Sequence, residues 1–391
     1  MQQPVLSREE ELYWLALKLV PGLGTRSSIK LLERFRTPQA IFRASRTELE
    51  GAGLNGAIAQ SIASGCTFED AAAQHDKMAE TGAVLITMGD PRYPRLLREI
   101  FDPPLLLFAR GRLELLDSIM LGVVGTRRPT PYGLAVAERL SADLSHAGLT
   151  IVSGMARGID TCAHKGALGV GGDTVAVLGC GVDLVYPAEN RKLAVELAAK
   201  GLVLSEFPMG ATAFPQNFPI RNRIISGMSV GVLVVEGAQY SGSAITAKLA
   251  MDQGREVFAV PGNITSKPSW GPNLLIKQGA RLVQDWNDVV SELPAESRRH
   301  LIECGRQKIL ALDGESPKED SASLLQGSGP ELDSVARRTL ETLKVDATIH
   351  LDDLLEKMED TSSSELIAAL FELEMLGLVK QLPGKNFVKV W

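Results

Sequence analysis

The stretch from residue 121 to residue 172 constrains the fold of this chain more than any other. Two apolar segments in it, LGVVG and TIVSG, each end in a glycine that is followed within three residues by arginine, first as GTRR and then as GMARG. A segment with helical periodicity follows each of them, which is the pattern of a buried strand that turns into a helix. Glycine lets a backbone approach a ligand, a helix start presents free N–H groups, and arginine adds a planar donor suited to phosphate. Two such turns at one sheet edge predict a phosphate-binding surface.

The central part of the chain, residues 77–293, alternates strand and helix patterns. Nearly continuous apolar runs predict strands at 84–87, 105–109, 121–125, 150–153, 174–179, 202–206, 230–235, 256–260 and 281–284. Helical patterns between them cover 132–147, 159–168, 189–199 and 243–253. Continuous apolar strands are typical of a parallel sheet with helices on both faces. We therefore predict an α/β domain with an extended, Rossmann-type doubly wound sheet.

Three further segments flank this domain. Residues 1–76 have helical periodicity and two glycine-rich turns, VPGLGT and GAGLNG, which are typical of a SAM-like or helix-hairpin-helix module. Such turns either contact a DNA backbone through their amides or simply end packed helices with glycine caps. Residues 294–330 have the low-complexity composition of a flexible linker. Residues 331–391 predict helices followed by a two-stranded hairpin, which is the plan of a winged helix-turn-helix domain.

The distribution of charged residues and the spacing of cysteines limit the kinds of binding site that this chain can form. The net charge is -6, but the acidic excess lies in the tail, where residues 331–391 carry 12 acidic and 7 basic side chains. Residues 115–291 carry 14 acidic and 15 basic side chains, so a phosphate site there depends on local placement. The 4 cysteines form no CxxC pair, which predicts neither a disulfide framework nor a zinc site and fits a cytoplasmic protein. We see no signal peptide and no apolar run that could insert in a membrane.

The loops that follow the strands carry the candidate chemistry, because ligands of doubly wound sheets bind outside the carboxyl ends of the strands. These loops contain no HExxH, Walker or GxSxG motif, and the first turn lacks GxGxxG. We therefore expect no metal, no cofactor and no catalytic residue. Several arginines on one rim would repel one another without an anion, at a cost of roughly 1 kcal/mol for each close contact. We therefore predict that four arginines are anion ligands: Arg127, Arg157, Arg221 and Arg223.

Four other polar residues in the central domain have a structural interpretation. His164 lies within a helix without a triad partner, so we expect it to be packed. Asp160 can cap its helix at the N-terminal end. Glu206 and Glu236 can be ion-pair partners of Arg223 or Arg221.

The chain resembles one family, the DNA-processing protein A (DprA/Smf) family. The resemblance rests on an ordered series of motifs: VGTRRPTPYG, SGMARGIDTCAHKGAL, AVLGCGVDLVYPAENRKL, SEFPMG, FPIRNRIISGMS, VLVVEGAQYSGSAITAKLA and VFAVPGNITSKPSWGPNLLIKQGA. It implies a single-stranded-DNA-binding recombination mediator that is not an enzyme. It also implies protection of incoming strands, loading of the RecA recombinase during natural transformation or recombination, and a homodimer.

The resemblance also implies site residues, with Arg127 as the main phosphate contact. The implied DNA-binding set is Gly125, Thr126, Arg127, Arg128, Gly154, Arg157, Lys165, Phe214, Arg221, Asn222 and Arg223. Either Phe218 or Phe214 would supply a stacking face for bases. The surface for dimerisation and for RecA would include Leu274, Leu275 and Ile276.

Two alternative functions stay open at this stage. The first is a nucleotide-cleaving hydrolase of a related Rossmann type, with Glu236 as its carboxylate. The second is a transcription regulator that acts through the winged helix. The expected recognition helix of that domain, residues 362–377, contains Glu365, Glu372 and Glu374 and no lysine or arginine. This charge disfavours strong duplex binding and favours a protein contact or autoinhibitory docking.

Overall fold

The chain divides into two compact units, residues 1–309 and 310–391. The computed structural model describes residues 6–301 except 240 and 300. In the second unit it describes residues 334–343, 349–358, 361, 365–366, 369–370, 373, 379–382 and 386–389. No helix in these ranges is both long enough and apolar enough to cross a membrane.

The first unit begins with a helical module, as predicted. Its helices are α1 (Arg8–Leu19), α2 (Thr25–Phe35), α3 (Pro38–Arg43), α4 (Arg46–Glu50), α5 (Gly56–Ser64) and α6 (Phe68–Thr81). Ser7 and Ser45 begin α1 and α4 with capping boxes, which pair amides that would otherwise lack a partner. Leu15 of α1 packs in one core cluster with Phe108 of the sheet. The helical module and the α/β part therefore form one compact unit.

A nine-stranded sheet forms the centre of this unit. Its strands are β1 (Val84–Thr87), β2 (Leu106–Gly111), β3 (Met120–Val124), β4 (Thr150–Ser153), β5 (Thr174–Val177), β6 (Leu202–Ser205), β7 (Gly231–Val234), β8 (Glu256–Ala259) and β9 (Arg281–Leu282). The order is β1-β2-β6-β5-β4-β3-β7-β8-β9. The seven strands from β6 to β9 are parallel, while β2 runs antiparallel to both β1 and β6. The predicted doubly wound sheet is confirmed, with an antiparallel edge added to it.

Helices cover the sheet and connect its strands. They are α7 (Arg95–Arg98), α8 (Pro131–His146), α9 (Ile159–Gly169), α10 (Arg191–Lys200), α11 (Asn217–Met228), α12 (Gly242–Asp252), α13 (Trp270–Lys277) and α14 (Trp286–Glu292). Helix α11 is absent from the helices that the sequence pattern predicts, and the structure corrects this omission. Pro219 does not prevent the helix because it lies in the first turn, where a backbone N–H would have no partner inside the helix.

The compact part of the first unit extends beyond residue 294, where the linker was predicted to begin. Residues 295–299 are helical, and Leu301 is buried in a core cluster with Leu144 and Leu149. Residues 302–330 of the predicted linker lie outside the described residues.

The second unit contains the predicted winged helix domain. It includes α15 (Ser334–Thr342), β10 (Ile349–His350), α16 (Leu351–Lys357), β11 (Val379–Leu382) and β12 (Asn386–Lys389). The three strands form an antiparallel sheet in the order β10-β12-β11. Most of the expected recognition helix, including Glu372 and Glu374, lies outside the described residues, as do residues 383–385 between β11 and β12.

His164 of α9 is fully buried beside the sheet, as expected for a packed histidine. The Thr174 hydroxyl donates to the Ile151 carbonyl at 2.8 Å, so it accepts from His164 Nδ1, which lies 2.7 Å away. This arrangement requires the tautomer with the proton on Nδ1. Burial, with a smaller contribution from the positive charge of Arg221, lowers the pKa of His164 from 6.5 to about 3.

We expect His164→Leu to weaken the pH dependence of stability. In the unfolded chain the histidine takes up a proton near pH 6.5, whereas in the folded chain its pKa is about 3. Between these values the unfolded state binds more protons, so stability falls as the pH falls, by up to about 1.4 kcal/mol per pH unit. Urea unfolding of both proteins between about pH 7.5 and 4.5 measures this slope. Identical slopes for the two proteins would contradict the assignment.

Candidate nucleic-acid interface

The two glycine–arginine turns lie next to each other at the carboxyl edge of the sheet. The chain leaves β3 towards β4 on one side, while β7 lies on the other side of β3, so this edge is the topological switch point. The Thr126 N–H donates to the Glu236 carbonyl at 2.7 Å, and the Thr126 carbonyl accepts from Ile159 N–H at 3.2 Å. Gly158 has a φ of 78°, and a side chain there would collide with the Thr126 carbonyl. Glycine is therefore required for the two turns to meet.

A cavity of about 480 Å³ opens where these turns meet α11 and the start of α12. Five residues of the predicted DNA-binding set line it: Gly125, Thr126, Arg127, Arg221 and Asn222. The structure therefore brings the first turn together with two residues that are nearly 100 positions away in the sequence.

Arg127 and two aromatic side chains form the open wall of this cavity. The guanidinium carbon of Arg127 lies 5.0 Å from the centroid of the Phe218 ring. The Tyr186 ring lies 5.6 Å from the same ring, centroid to centroid, with 35° between the planes. Within the described part of the chain, no carboxylate lies within 4 Å of the Arg127 guanidinium. An exposed cation beside aromatic rings can bind an anion and a planar base together.

Arg221 forms the floor of the cavity and is only 3% exposed. Its Nη1 donates to the Val177 carbonyl at 2.7 Å, and its guanidinium carbon lies 5.9 Å from the Phe218 ring centroid. Gly154 makes room for it, since a side chain at Gly154 would collide with the guanidinium. Burial lowers the pKa of Arg221, and the charge of Asp160 acts in the opposite direction. A cation fixed in this way is positioned for an anion before any ligand arrives.

Asp160 was expected to cap α9, but it instead supports the second turn, because its N–H donors precede the helix. Its carboxylate accepts from the N–H groups of Gly154 at 3.1 Å and Ala156 at 3.4 Å, just before α9 begins. Burial raises the pKa of Asp160, while the charge of Arg221 lowers it. The carboxylate thus holds the turn and lies in the electrostatic field of the buried arginine.

Arg223 was predicted in the DNA-binding set, but the structure does not bring it to the cavity. Its Nη2 donates to Glu206 at 2.7 Å and its Nε donates to Asp102 at 3.0 Å, and the guanidinium is buried. Successive residues of a helix point about 100° apart, so Arg221 and Arg223 of α11 face different surroundings. The expected pairing of Glu206 with Arg223 is confirmed.

Glu236 was expected to pair with an arginine, and this expectation is wrong. Its carboxylate accepts from the Thr130 N–H at 2.9 Å and the Thr130 hydroxyl at 2.6 Å. Thr130 in turn caps α8, because its hydroxyl accepts from Gly133 N–H at 3.2 Å. Glu236 is 1% exposed, so it serves to hold the start of α8 against the loop after β7.

Four other residues of the predicted set are exposed and do not line the cavity: Arg128, Arg157, Lys165 and Phe214. Arg157 pairs with Glu189 at 2.6 Å in an exposed ion pair. Lys165 is the seventh residue of α9, roughly 9 Å along the helix from Ile159 at its start. These residues are therefore not part of the cavity wall, although Arg128 and Phe214 are sequence neighbours of residues that are.

Two features that line the cavity were missing from the predicted set. Tyr186 is 45% exposed and follows β5, and its only sequence signal was its place in a loop after a strand. The start of α12 carries Ser241 and Ser243, whose hydroxyl oxygens are 2.7 Å apart. Ser241 accepts from Ala244 N–H at 3.4 Å and caps the helix. The letters SGS after a strand are typical of such a helix start.

The three residues predicted for the dimer and RecA surface all lie on α13, but they differ in exposure. Leu275 is buried in the core and Ile276 is half-buried against it, so Leu275 is not available for contact. Leu274 lines a shallow apolar depression with Ile264 and Trp270, which are 82% and 57% exposed.

In the described residues no group of three or more metal-ligating side chains is present.

Comparison with known proteins gives consistent matches along the chain. Residues 84–294 match the family model for DNA recombination-mediator protein A, and residues 325–385 match the model for the DprA winged helix domain. The chain is 34% identical to protein Smf of Synechocystis sp., over 98% of this chain and 99% of that protein. It is 44% identical to DNA processing protein DprA of Bacillus subtilis, over 55% of this chain and 73% of that protein. The X-ray structure of DprA from Streptococcus pneumoniae matches with a TM-score of 0.65 and 36% identity, over 74% of this chain and 99% of that one.

Proposed function

Because the chain belongs to the DNA recombination-mediator protein A family (DprA/Smf), we propose that it binds single-stranded DNA in the cavity at the carboxyl edge of its sheet. One observation carries this proposal. The guanidinium of Arg127, which has no ion-pair partner among the described residues, lies 5.0 Å from the Phe218 ring, and the buried guanidinium of Arg221 lies 5.9 Å from the same ring. Two cations around one aromatic face suit a ligand that alternates phosphates with bases.

The aromatic wall favours a single strand over a duplex. Tyr186 is 45% exposed and Phe218 is half-buried, so both ring systems are open to the cavity. A base can stack on such a ring only when it is not stacked and paired within a duplex. The cations contact only phosphate and carry no information about base identity. We therefore expect little sequence preference.

The cellular role that we propose is that of a recombination mediator, not an enzyme. The protein would protect incoming strands and load RecA, acting as a homodimer. The exposed apolar surface of Ile264, Trp270 and Leu274 is the part of the predicted dimer and RecA surface that is open to a partner. The carboxylate of Glu236, which the hydrolase hypothesis requires, is buried and holds Thr130. A measured release of base from nucleoside monophosphates that Glu236→Gln abolishes would overturn this view.

The direct test is a titration of single and double strands with the full-length protein. Fluorescence anisotropy with a labelled oligothymidylate and with a duplex of equal length measures both affinities, and sedimentation velocity gives the stoichiometry. We expect tighter binding of the single strand. Equal or tighter binding of the duplex, or no binding of the single strand, would refute the proposal.

We expect Phe218→Leu to weaken binding of oligothymidylate by about 10-fold, because stacking on an aromatic ring contributes about 1–3 kcal/mol per base. The salt dependence of binding should stay as in the wild type, since no charge is removed. Phe214→Leu is the matched control, because Phe214 is 54% exposed and does not line the cavity. A larger loss of affinity with Phe214→Leu than with Phe218→Leu would assign the stacking face to the other ring.

A further inference from the structure

Arg26 and Phe101 form an exposed pair outside the cavity. The guanidinium carbon of Arg26, at the start of α2, lies 3.8 Å from the centroid of the Phe101 ring. Phe101 is 74% exposed, although it belongs to the loop between α7 and β2, whose next residues, Pro103 and Pro104, are buried. No carboxylate in the described ranges lies within 4 Å of the Arg26 guanidinium. The pair therefore places an exposed aromatic ring and a stacked cation side by side at the surface.

A second cation, Lys30, is also exposed and follows Arg26 by one turn of α2. Three acidic residues are also near the pair in the sequence: Glu33, Glu99 and Asp102. The first turn of α2 contains no acidic residue, and Gly24 provides no side-chain cap. The nearest acidic neighbour in the sequence, Asp102, is an acceptor for Arg223. The pair presents a ring beside a guanidinium that forms no ion pair in the described ranges, a combination that suits a polyanion with planar bases better than an apolar protein segment.

Helix α11 connects this pair to the cavity. Arg223 of α11 holds Asp102, the residue next to Phe101, while Phe218 of the same helix lines the cavity. These two positions on α11 are separated by roughly 7.5 Å along the helix axis. Ile220, which lies between them on α11, is 44% exposed. Because β2 runs antiparallel to β6, the loop before β2 that carries Phe101 lies at the carboxyl end of β6, which is the same edge of the sheet as the cavity.

We propose that Arg26 and Phe101 form a second contact for the same single strand, beyond the cavity, in which Phe101 stacks on a base and Arg26 binds a neighbouring phosphate. This inference rests on the proposed function. It assigns to the helical module a part of the DNA path, and it implies that affinity increases with strand length until both contacts are occupied. Single-strand-binding domains typically cover about 4–16 nucleotides.

The test compares strand lengths in the full chain. Affinities for oligothymidylates of about 4 and about 16 nucleotides are measured by anisotropy and competition for wild type, Phe101→Ala and Arg127→Ala. We expect Phe101→Ala to weaken binding of the longer strand about 10-fold and to leave the shorter strand unchanged. Phe101→Tyr, which keeps the ring, should retain the wild-type affinity. Val195→Ala is the matched control, because Val195 is 67% exposed on α10 and lies outside the cavity lining.

The outcomes separate the two proposals. If Phe101→Ala binds both lengths like the wild type while Arg127→Ala weakens both, the second contact is refuted and the proposed function stands. An equal loss with both lengths would also refute it, since Phe101 would then act at the cavity. If Arg127→Ala leaves both affinities unchanged, the proposed function itself fails. Thermal unfolding of Phe101→Ala should match the wild type, because the ring is mostly exposed.

Discussion

Arg223→Met is expected to lower the free energy of unfolding by about 3–5 kcal/mol. The side chains of Arg223 and Glu206 are 9% and 4% exposed, and they are joined by a hydrogen bond of 2.7 Å. Removal of one partner leaves the other charge buried and uncompensated, which has a cost of this size. The pair also connects β6 to α11, which carries Arg221 and Phe218. Urea unfolding followed by circular dichroism measures the change.

A matched control for this variant is Arg157→Met. The Arg157–Glu189 pair has a similar distance, 2.6 Å, but its side chains are 62% and 61% exposed. Exposed ion pairs contribute about 0–1 kcal/mol, so this variant should change stability little. If Arg157→Met and Arg223→Met lowered stability equally, burial would not be the source of the effect and our account of the Arg223 cluster would be wrong.

Arg127→Glu is expected to weaken binding of oligothymidylate on the order of 100-fold, that is, by about 2.7 kcal/mol. The variant loses a phosphate contact and places a like charge in the path of the strand. Arg127 is exposed and has no carboxylate partner in the described part of the chain, so stability should change by no more than about 0.5 kcal/mol. Arg139→Glu is the control, because the Arg139 side chain is 83% exposed on α8 and lies outside the cavity lining. Equal losses of affinity for the two variants would indicate a general charge effect and not a contact at Arg127.

The strands of the sheet could be predicted because buried parallel strands have continuous apolar sequences. Helix α11 could not be predicted, because burial removes the sequence pattern that identifies a surface helix. Its last eight residues, Arg221 to Met228, are all buried, so polar and apolar positions do not alternate with the period of a surface helix. The antiparallel edge formed by β1 and β2 also left no local signal, since strand direction at an edge depends on tertiary pairing.

The site could be predicted in part. Arg127 follows a strand directly, and strand ends meet at one edge of the sheet, so its position was predictable. Arg221 and Arg223 are two positions apart in a segment for which the sequence pattern predicts no helix, and only the helix determines that one lines the cavity while the other pairs with Glu206. Tyr186 lies in a long loop whose course depends on its packing against Phe218. Site residues that directly follow a strand could therefore be predicted. Those whose position depends on the rotation of a helix or on the packing of a loop could not.

The salt dependence of single-strand binding is the most direct test of a phosphate contact at Arg127. The affinity for a labelled oligothymidylate is measured for wild type and Arg127→Ala over a range of salt concentrations. Each phosphate neutralised on a single strand contributes about -0.7 to the slope of log affinity against log salt. We expect a clear negative slope for the wild type and a slope that is shallower by about 0.7 for Arg127→Ala. Parallel lines for the two proteins, or a wild-type affinity that does not respond to salt, would contradict the placement of the phosphate backbone at Arg127.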